Sequence, residues 1–388
     1  MAAKDSNRAA ELAQWRDWKR RNPTFPLSVH ASGRWYVRIK GKNHYFGPLA
    51  EKDQALDLWI FEKDYLLAGT TPPTDQGTSL EKLAAEFLAA KAALVASGDL
   101  TERSLIDYRA TCKNITETLG GGLGLETLTP ADFARLRAAL AATRGPVALG
   151  NEINRVRVVF RWAYSSGLTD RPVRWGPDFK RPPAASVRRA RHARGEKYFQ
   201  PDQLRDLIDS AGPTMQAMIY LGINCAYNNA DCGRLPLEAA RDAVASGWLD
   251  LPRGKTYIAR RAPLWPETAD ALAAALLWRP RPRTEAARPL ALLTNTGRPW
   301  IKPESTENPV AQAFRKLAQK AGHHRPGLGF GALRHTFATV AGATLDQPAV
   351  DYIMGHADHS MAAAYRERIE DDRLRRVADH VRAWLLGE

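Results

Sequence analysis

The stretch Leu333-Arg334-His335-Thr336-Phe337-Ala338-Thr339, followed by Met354-Gly355-His356 and then by Tyr365, decides how the rest of the chain is read. Arginine offers a planar fork of donors matched to two phosphate oxygens, and preorganised donors of this kind stabilise the extra negative charge of a pentacoordinate phosphorus. A tyrosine hydroxyl attacking phosphorus gives a covalent phosphotyrosine, which conserves the energy of the phosphodiester and calls for no nucleotide, metal or other cofactor. Arg334 fits the first role and Tyr365 the second, with His335 and His356 as accompanying polar groups. Leu333, Phe337 and Val340 recur at helical spacing. That phase sets Arg334 and His335 beside a buried stripe near a helix start, where free backbone N–H groups favour phosphate. Asp346-Gln347-Pro348 reads as the cap and early proline of a helix ending at Gly355, with His356 at its exit. Asp358-His359-Ser360 reads as the cap of a further short helix that carries Tyr365 on its last turn.

This ordered set resembles the active-site half of the tyrosine recombinases, the phage integrase family. The resemblance implies a lysine near the phosphate that protonates the leaving 5′-oxygen. Lys255 matches it, in Leu251-Pro252-Arg253-Gly254-Lys255-Thr256-Tyr257-Ile258, a hairpin-like turn between two strand-like runs. Family members also carry a first arginine seven residues before a leucine, with a carboxylate three residues after that arginine. Leu235 and Asp231 fall into this register, and the arginine position is then Asn228. Three residues before the second arginine the family has histidine, lysine or tyrosine, and here the residue is Gly331. The histidine that follows the arginine, His335 in this chain, is more often structural than catalytic in the family. A neutral amide at 228 brings no charge, and losing one transition-state donor slows such chemistry by roughly 10²- to 10³-fold.

Three outcomes are open: a working recombinase with a substitute cation, a slow or conditional enzyme, or a DNA-binding relative that has lost strand transfer. Arg234, Arg260 and Arg261 are the nearest candidate cations in sequence. Arginine restored at 228 is expected to raise the rate unless one of them reaches the phosphate. A type IB topoisomerase-like enzyme shares the tyrosine chemistry. Zinc at His356 and His359, or at His323-His324, lacks a completing cysteine or carboxylate set at ligand spacing, so no metal is expected.

The remaining composition agrees with a nucleic-acid partner. The chain has 388 residues, room for two or three domains with ample core. Its 56 Lys and Arg against 42 Asp and Glu give a net charge of +14, which favours a polyanion such as duplex DNA. Seven of these cations and a single acid, Glu196, fall between Lys180 and Lys197, beside Pro182-Pro183. This composition reads as a basic linker over 178–197 in which Arg188, Arg189 and Arg191 track phosphates. Cys112, Cys225 and Cys232 are odd in number, lie among apolar helical residues and suggest buried thiols in a reducing compartment. With no signal peptide or membrane-length apolar run, a soluble, cytoplasmic, nucleoid-associated protein is expected.

The fold class expected is mainly α and multidomain, with small β-sheets. Residues 1–69 read as an N-terminal three-stranded sheet plus helix, with runs Leu27–His30, Arg34–Lys40 and Asn43–Gly47 and a helix from about Glu51 to Leu67. Arg34, Arg38, Lys40 and Lys42, interleaved with Trp35, Tyr36 and Tyr45, suit a sheet laid in a groove. The segment is similar to the arm-binding domains of several integrases. After a Pro/Thr/Gly linker, four helical patterns in 76–177 resemble the family's core-binding domain, with Asn151, Asn154, Arg155 and Arg157 available for DNA. A mixed α/β catalytic domain is expected over 198–388. Its C-terminal stripe, Leu374, Val377, Val381, Trp384 and Leu385, is compatible with packing in cis or on a neighbouring protomer. The resemblance implies a homo-oligomer, a dimer on each site and a tetramer in synapsis.

Overall fold

Period-two patterning is confined to short runs, and long amphipathic repeats separated by Pro and Gly make the rest of the chain helical. The structure, a computed structural model, describes residues 2–69, 78–254, 256–302, 305–357, 361 and 365–388. It divides into two compact units, residues 1–79 with 124–126, and residues 80–123 with 127–388.

In the first unit, α1 (Ala2–Arg21) precedes an antiparallel sheet in the order β1 (Ser28–Val29), β2 (Arg34–Ile39), β3 (Lys42–Pro48). Lys40 and Gly41 both take positive φ, 46° and 83°, the conformation that a two-residue hairpin turn demands. Alternation along β2 buries Trp35 and Ile39 and leaves Arg34 and Arg38 exposed. Trp35 is the keystone: Trp15, Trp18 and Phe25 meet it edge-on at 5.6, 6.0 and 5.0 Å, and its indole N–H donates to Leu49 O at 3.1 Å. Helix α2 (Lys52–Ala68) closes this core through Ala55 and ends on Gly69 at φ 79°. The expected sheet-plus-helix is present, with small displacements of its boundaries.

The second unit opens with four helices at the expected places, α3 (Leu80–Ala96), α4 (Glu102–Leu119), α5 (Pro130–Thr143) and α6 (Pro146–Ser165). Thr101 caps α4, and Thr129 with Asp132 forms a capping box on α5, so two helix starts are fixed by local chemistry. Phe87, Leu105, Ile115, Phe133, Leu136, Ile153, Val156 and Phe160 are buried together as their stripes require.

Within the basic stretch read as a linker over 178–197, residues 184–194 form helix α7 (Ala184–Arg194). Alanine and arginine are strong helix formers, Pro183 sits at the N-cap and Gly195 at φ 70° ends the run, so local propensity suffices without a buried face. None of its residues is buried, and Arg188, Arg189 and Arg191 stand in solvent.

Next come α8 (Pro201–Asp209), α9 (Pro213–Asn224), α10 (Asn229–Gly233), α11 (Leu237–Ser246), the two-stranded pair β4 (Trp248–Asp250) and β5 (Arg261–Pro263), α12 (Pro266–Leu277), α13 (Pro309–Lys320), α14 (Gly331–Ala341), α15 (Gln347–Met354) and α16 (Asp371–Leu386). Helix α9 is the buried axis, and α14 packs so closely on it that a Cβ at Gly222 would lie 2.6 Å from Leu333 Cδ1. The α16 stripe packs in cis: Leu374, Val377, Val381 and Leu385 are fully buried. Trp265 Nε1 donates to Ala378 O at 3.0 Å, and Arg382 grips both oxygens of Glu267 at 2.6 and 3.0 Å. Among the described residues no helix is long and apolar enough to cross a membrane.

Candidate active site

The site is assembled where α9 ends, α14 begins and α15 ends. Asn224, the last residue of α9, is fully buried and ties the helix end to β5 by donating to Pro263 O and accepting from Trp265 N, both at 3.0 Å. The chain then turns through Ala226 at φ 53°, a left-handed conformation that is uncommon for a residue with a Cβ. That turn presents the Ala226 carbonyl to Arg334 on the first turns of α14. Arg334 Nη1 donates to Ala226 O and Nη2 to Met354 O, both at 2.7 Å, so two backbone carbonyls fix the plane of the guanidinium. Burial, and then the positive charge of Arg253, push its pKa down to about 10.

Helix α15 starts as read: the Asp346 carboxylate accepts from Ala349 N at 3.2 Å and also holds Arg373 at 2.6 and 2.8 Å. Gly355 at φ 62° ends it and turns His356 outward. His356 Nδ1 lies 3.1 Å from Asp351 Oδ1, the arrangement of a ring N–H donating to a carboxylate, which leaves Nε2 for a ligand. Thus Met354 O binds Arg334 and His356 follows two residues later, which puts both residues at the corner where α15 ends.

Asn228 has a local role that the sequence did not reveal. Its side-chain oxygen accepts from Ala230 N at 2.8 Å and Asp231 N at 3.1 Å, and Asp231 Oδ2 accepts from Asn228 N at 3.1 Å, a reciprocal capping box on α10. Asp231 is buried and finds its cation elsewhere. Arg260 Nη1 lies 3.2 Å from Asp231 Oδ2, with the two side chains 2% and 6% exposed. The Arg260 guanidinium stacks 3.7 Å over the Tyr227 ring, and its Nε donates to Leu251 O at 3.0 Å. Of the three candidate cations, Arg260 reaches this corner. Arg234 caps the C-terminus of α10 and is exposed. Arg261 turns away to Asp371 at 2.9 Å and stacks on Trp248.

The 251–260 segment is the expected hairpin, with Arg253 N bonded to Ile258 O at 2.8 Å beyond the β4–β5 pair. Lys255 lies outside the described residues. So do Asp358, His359 and Ser360. Met361 is helical, and Tyr365 sits in a turn with 80% of its surface exposed. No hydrogen bond joins Tyr365 to Arg334 or His356 among the described residues. A cavity of about 510 Å³ is lined by His356, Asp351 and Arg366, the residue after Tyr365. His335 is exposed on α14, its pKa lowered by partial desolvation and by Lys197 and Arg334. Gly331 opens α14 with nothing within 4 Å of where a Cβ would stand, so no packing forbids a larger residue there.

Elsewhere the cations divide. Arg34, Arg38, Lys40 and Lys42 are exposed on the N-terminal sheet and its turn, beside a cluster in which the His30 ring meets Tyr36 at 5.1 Å and Tyr45 at 4.9 Å. Arg155, expected on or near an exposed face and available for DNA, keeps 32% of its side chain exposed while two carboxylates hold it. It pairs with Asp107 at 2.8 Å and with the buried Glu152 at 2.9 Å, because a buried carboxylate takes the nearest guanidinium. Arg157 likewise donates to Phe179 O at 2.7 Å. No group of three or more His, Cys, Asp or Glu residues suited to a metal occurs among the described residues. All three cysteines are free and buried.

No protein-family model and no curated protein matches the chain. Solved structures do. A lambda integrase dimer bound to a COC′ core site is similar over 89% of this chain and 97% of its own, at 15% identity and a TM-score of 0.55. A lambda integrase tetramer bound to a Holliday junction is similar over the same shares, at 16% identity and a TM-score of 0.53. A fragment of the Tn1549 transposon integrase in complex with circular intermediate DNA matches 78% of this chain and 99% of its own, at 14% identity and a TM-score of 0.53. At such identities the likeness establishes architecture, and the chain has the fold of the lambda and Tn1549 integrases.

Proposed function

We propose that the chain cleaves and rejoins duplex DNA at specific sites through a 3′-phosphotyrosine at Tyr365. The observation that carries this reading is the fixing of Arg334 by the Ala226 and Met354 carbonyls, the latter two residues from His356, in a fold shared with DNA-bound integrases. A guanidinium already oriented loses little freedom when a phosphate arrives, and its remaining N–H groups stabilise charge as it develops. In the first step the Tyr365 oxygen bonds to phosphorus, and the bond to the 5′-oxygen breaks. Lys255 gives that oxygen its proton, and the phenolic proton of Tyr365 passes to His356 Nε2, the acceptor nitrogen of a ring whose Nδ1–H is held by Asp351. Attack by the 5′-hydroxyl of another strand end reverses the sequence, expels tyrosine and leaves a new junction. The exposed Tyr365 suits a nucleophile that swings onto its substrate.

Residues 1–69, with Arg34, Arg38, Lys40 and Lys42, are proposed to contact accessory DNA. The 76–177 helices and Arg188, Arg189 and Arg191 of α7 are proposed to clamp the core duplex through phosphates. The active form is a homo-oligomer on DNA in the nucleoid. A protein that occupies sites without cleaving them is the second reading, favoured by the neutral residue at 228.

The test is to incubate the full chain with a randomised library of nicked duplexes, recover DNA covalently attached to protein and map the attachment. A phosphotyrosine at residue 365 on a recurring sequence is expected. Specific retention of duplex without any adduct would favour the second reading.

A further inference from the structure

We propose that Arg253 is a phosphate ligand of this site and supplies the guanidinium that Asn228 cannot. The inference rests on the cleavage reading for its reaction, while the anion site is testable without it. The Arg253 side chain runs along Gly355: a Cβ at Gly355 would stand 3.2 Å from Arg253 Cβ and 3.4 Å from its Cδ. Its Nη1 reaches Gly355 O only at 3.4 Å, a long contact, and its Nε is buried with no hydrogen-bond partner. A buried donor left unsatisfied is costly, and a site holding one is incomplete.

The charge balance leads to the same place. Arg253, Arg260 and Arg334 lie close enough that the other two both depress the Arg334 pKa. Among the described residues the only carboxylate paired with any of the three is Asp231, held by Arg260. The neighbouring Asp351 faces His356 and Gln347 instead. Three guanidinium groups against one carboxylate leave two positive charges uncompensated in partly buried surroundings, an arrangement that destabilises the free protein. A phosphodiester supplies both the acceptor oxygens and the negative charge, more so as it becomes a phosphorane.

Arg260 is not itself the ligand. With its side chain 2% exposed and stacked on Tyr227, it is a positioning residue that keeps Asp231, and through it the start of α10, in place. Arg253 is part-exposed and lies against the residue preceding His356, so a phosphate between Arg334 and His356 would be within its reach.

The experiment has two arms. On a duplex recovered by covalent selection, Arg253→Ala should slow phosphotyrosine formation by roughly 10²- to 10³-fold, the reduction typical of removing one transition-state donor. Arg253→Lys should fall between the two. Free guanidinium at tens of millimolar should restore part of the Arg253→Ala rate where sodium chloride does not, a rescue that a merely structural residue would not show. In the second arm, inorganic phosphate should raise the melting temperature of the wild-type chain over sodium chloride of equal ionic strength, and Arg253→Ala should abolish that difference. Adduct formation at the wild-type rate in Arg253→Ala, or a folded but slow variant that guanidinium does not rescue, overturns the proposal and leaves cleavage intact. Disappearance of the phosphate effect in Arg253→Ala, with no adduct from wild type on any duplex, would sink the cleavage reading and keep the anion site.

Discussion

Arg260→Met should expose how much of the site depends on one ion pair reaching across the β4–β5 hairpin. Arg260 Nη1 and Asp231 Oδ2 are 3.2 Å apart with both side chains almost fully buried, so water cannot replace a missing partner. Methionine keeps most of the aliphatic volume but strands the Asp231 carboxylate, which still accepts from the Asn228 backbone N–H at 3.1 Å but faces no cation there. Removing one member of a buried pair costs about 3–5 kcal/mol. For a unit of this size that corresponds to a fall of roughly 5 °C or more in the melting temperature. Asp231→Asn keeps an acceptor for the capping box while removing the charge, so the double variant should recover about 1–3 kcal/mol relative to Arg260→Met. Differential scanning calorimetry of the wild type, both single variants and the double variant closes the cycle. An Arg260→Met chain that melts at the wild-type temperature, or a double variant less stable than Arg260→Met alone, would refute the pairing.

Tyr365→Phe should abolish covalent attachment while leaving duplex affinity nearly unchanged, read by denaturing gels and by titration; adducts surviving in that variant would exclude Tyr365 as nucleophile. Neutralising Arg188, Arg189 and Arg191 together should lower the slope of log affinity against log salt by about one unit for each phosphate no longer bound, and an unchanged slope would leave α7 without a DNA role. Asn228→Arg should not raise the cleavage rate, because it deletes a helix cap worth about 1 kcal/mol while the corner already holds Arg253 and Arg260; a faster variant would show that the site does lack a cation. The Asp346 carboxyl is held below its ordinary value of 3.8 chiefly by the hydrogen bond from Arg373. The stability it contributes is therefore full above pH 3.8 and disappears as pH falls through the lower folded-state value. The stability gap between wild type and Asp346→Asn should close on acidification, and urea melts showing a gap independent of pH would count against the ion pair.

Much of this protein was legible in one dimension because much of it is fixed by neighbours in the chain. Asp346-Gln347-Pro348 starts α15 and Gly355 stops it because a cap, a proline and a left-handed glycine act within a few residues of themselves. The turn at Gly41, read as Gly41-Lys42 and found at Lys40-Gly41, the Thr129–Asp132 capping box and the α16 stripe were readable for the same reason. Local propensity also acts within the basic linker: the stretch at 184–194 is helical because alanine and arginine favour helix even with nothing to bury. What the sequence alone could not decide were the partners of buried charges. Nothing in the spacing of Arg155 names Asp107, which α4 brings to it, as its partner. Asn228 reads as a missing arginine until it is seen capping α10, while Asp231 takes its cation from Arg260, which only the hairpin register and the burial of both groups bring together. Ion pairs of this kind depend on which side chains packing leaves side by side without water, and that is set by the tertiary fold and not by spacing along the chain.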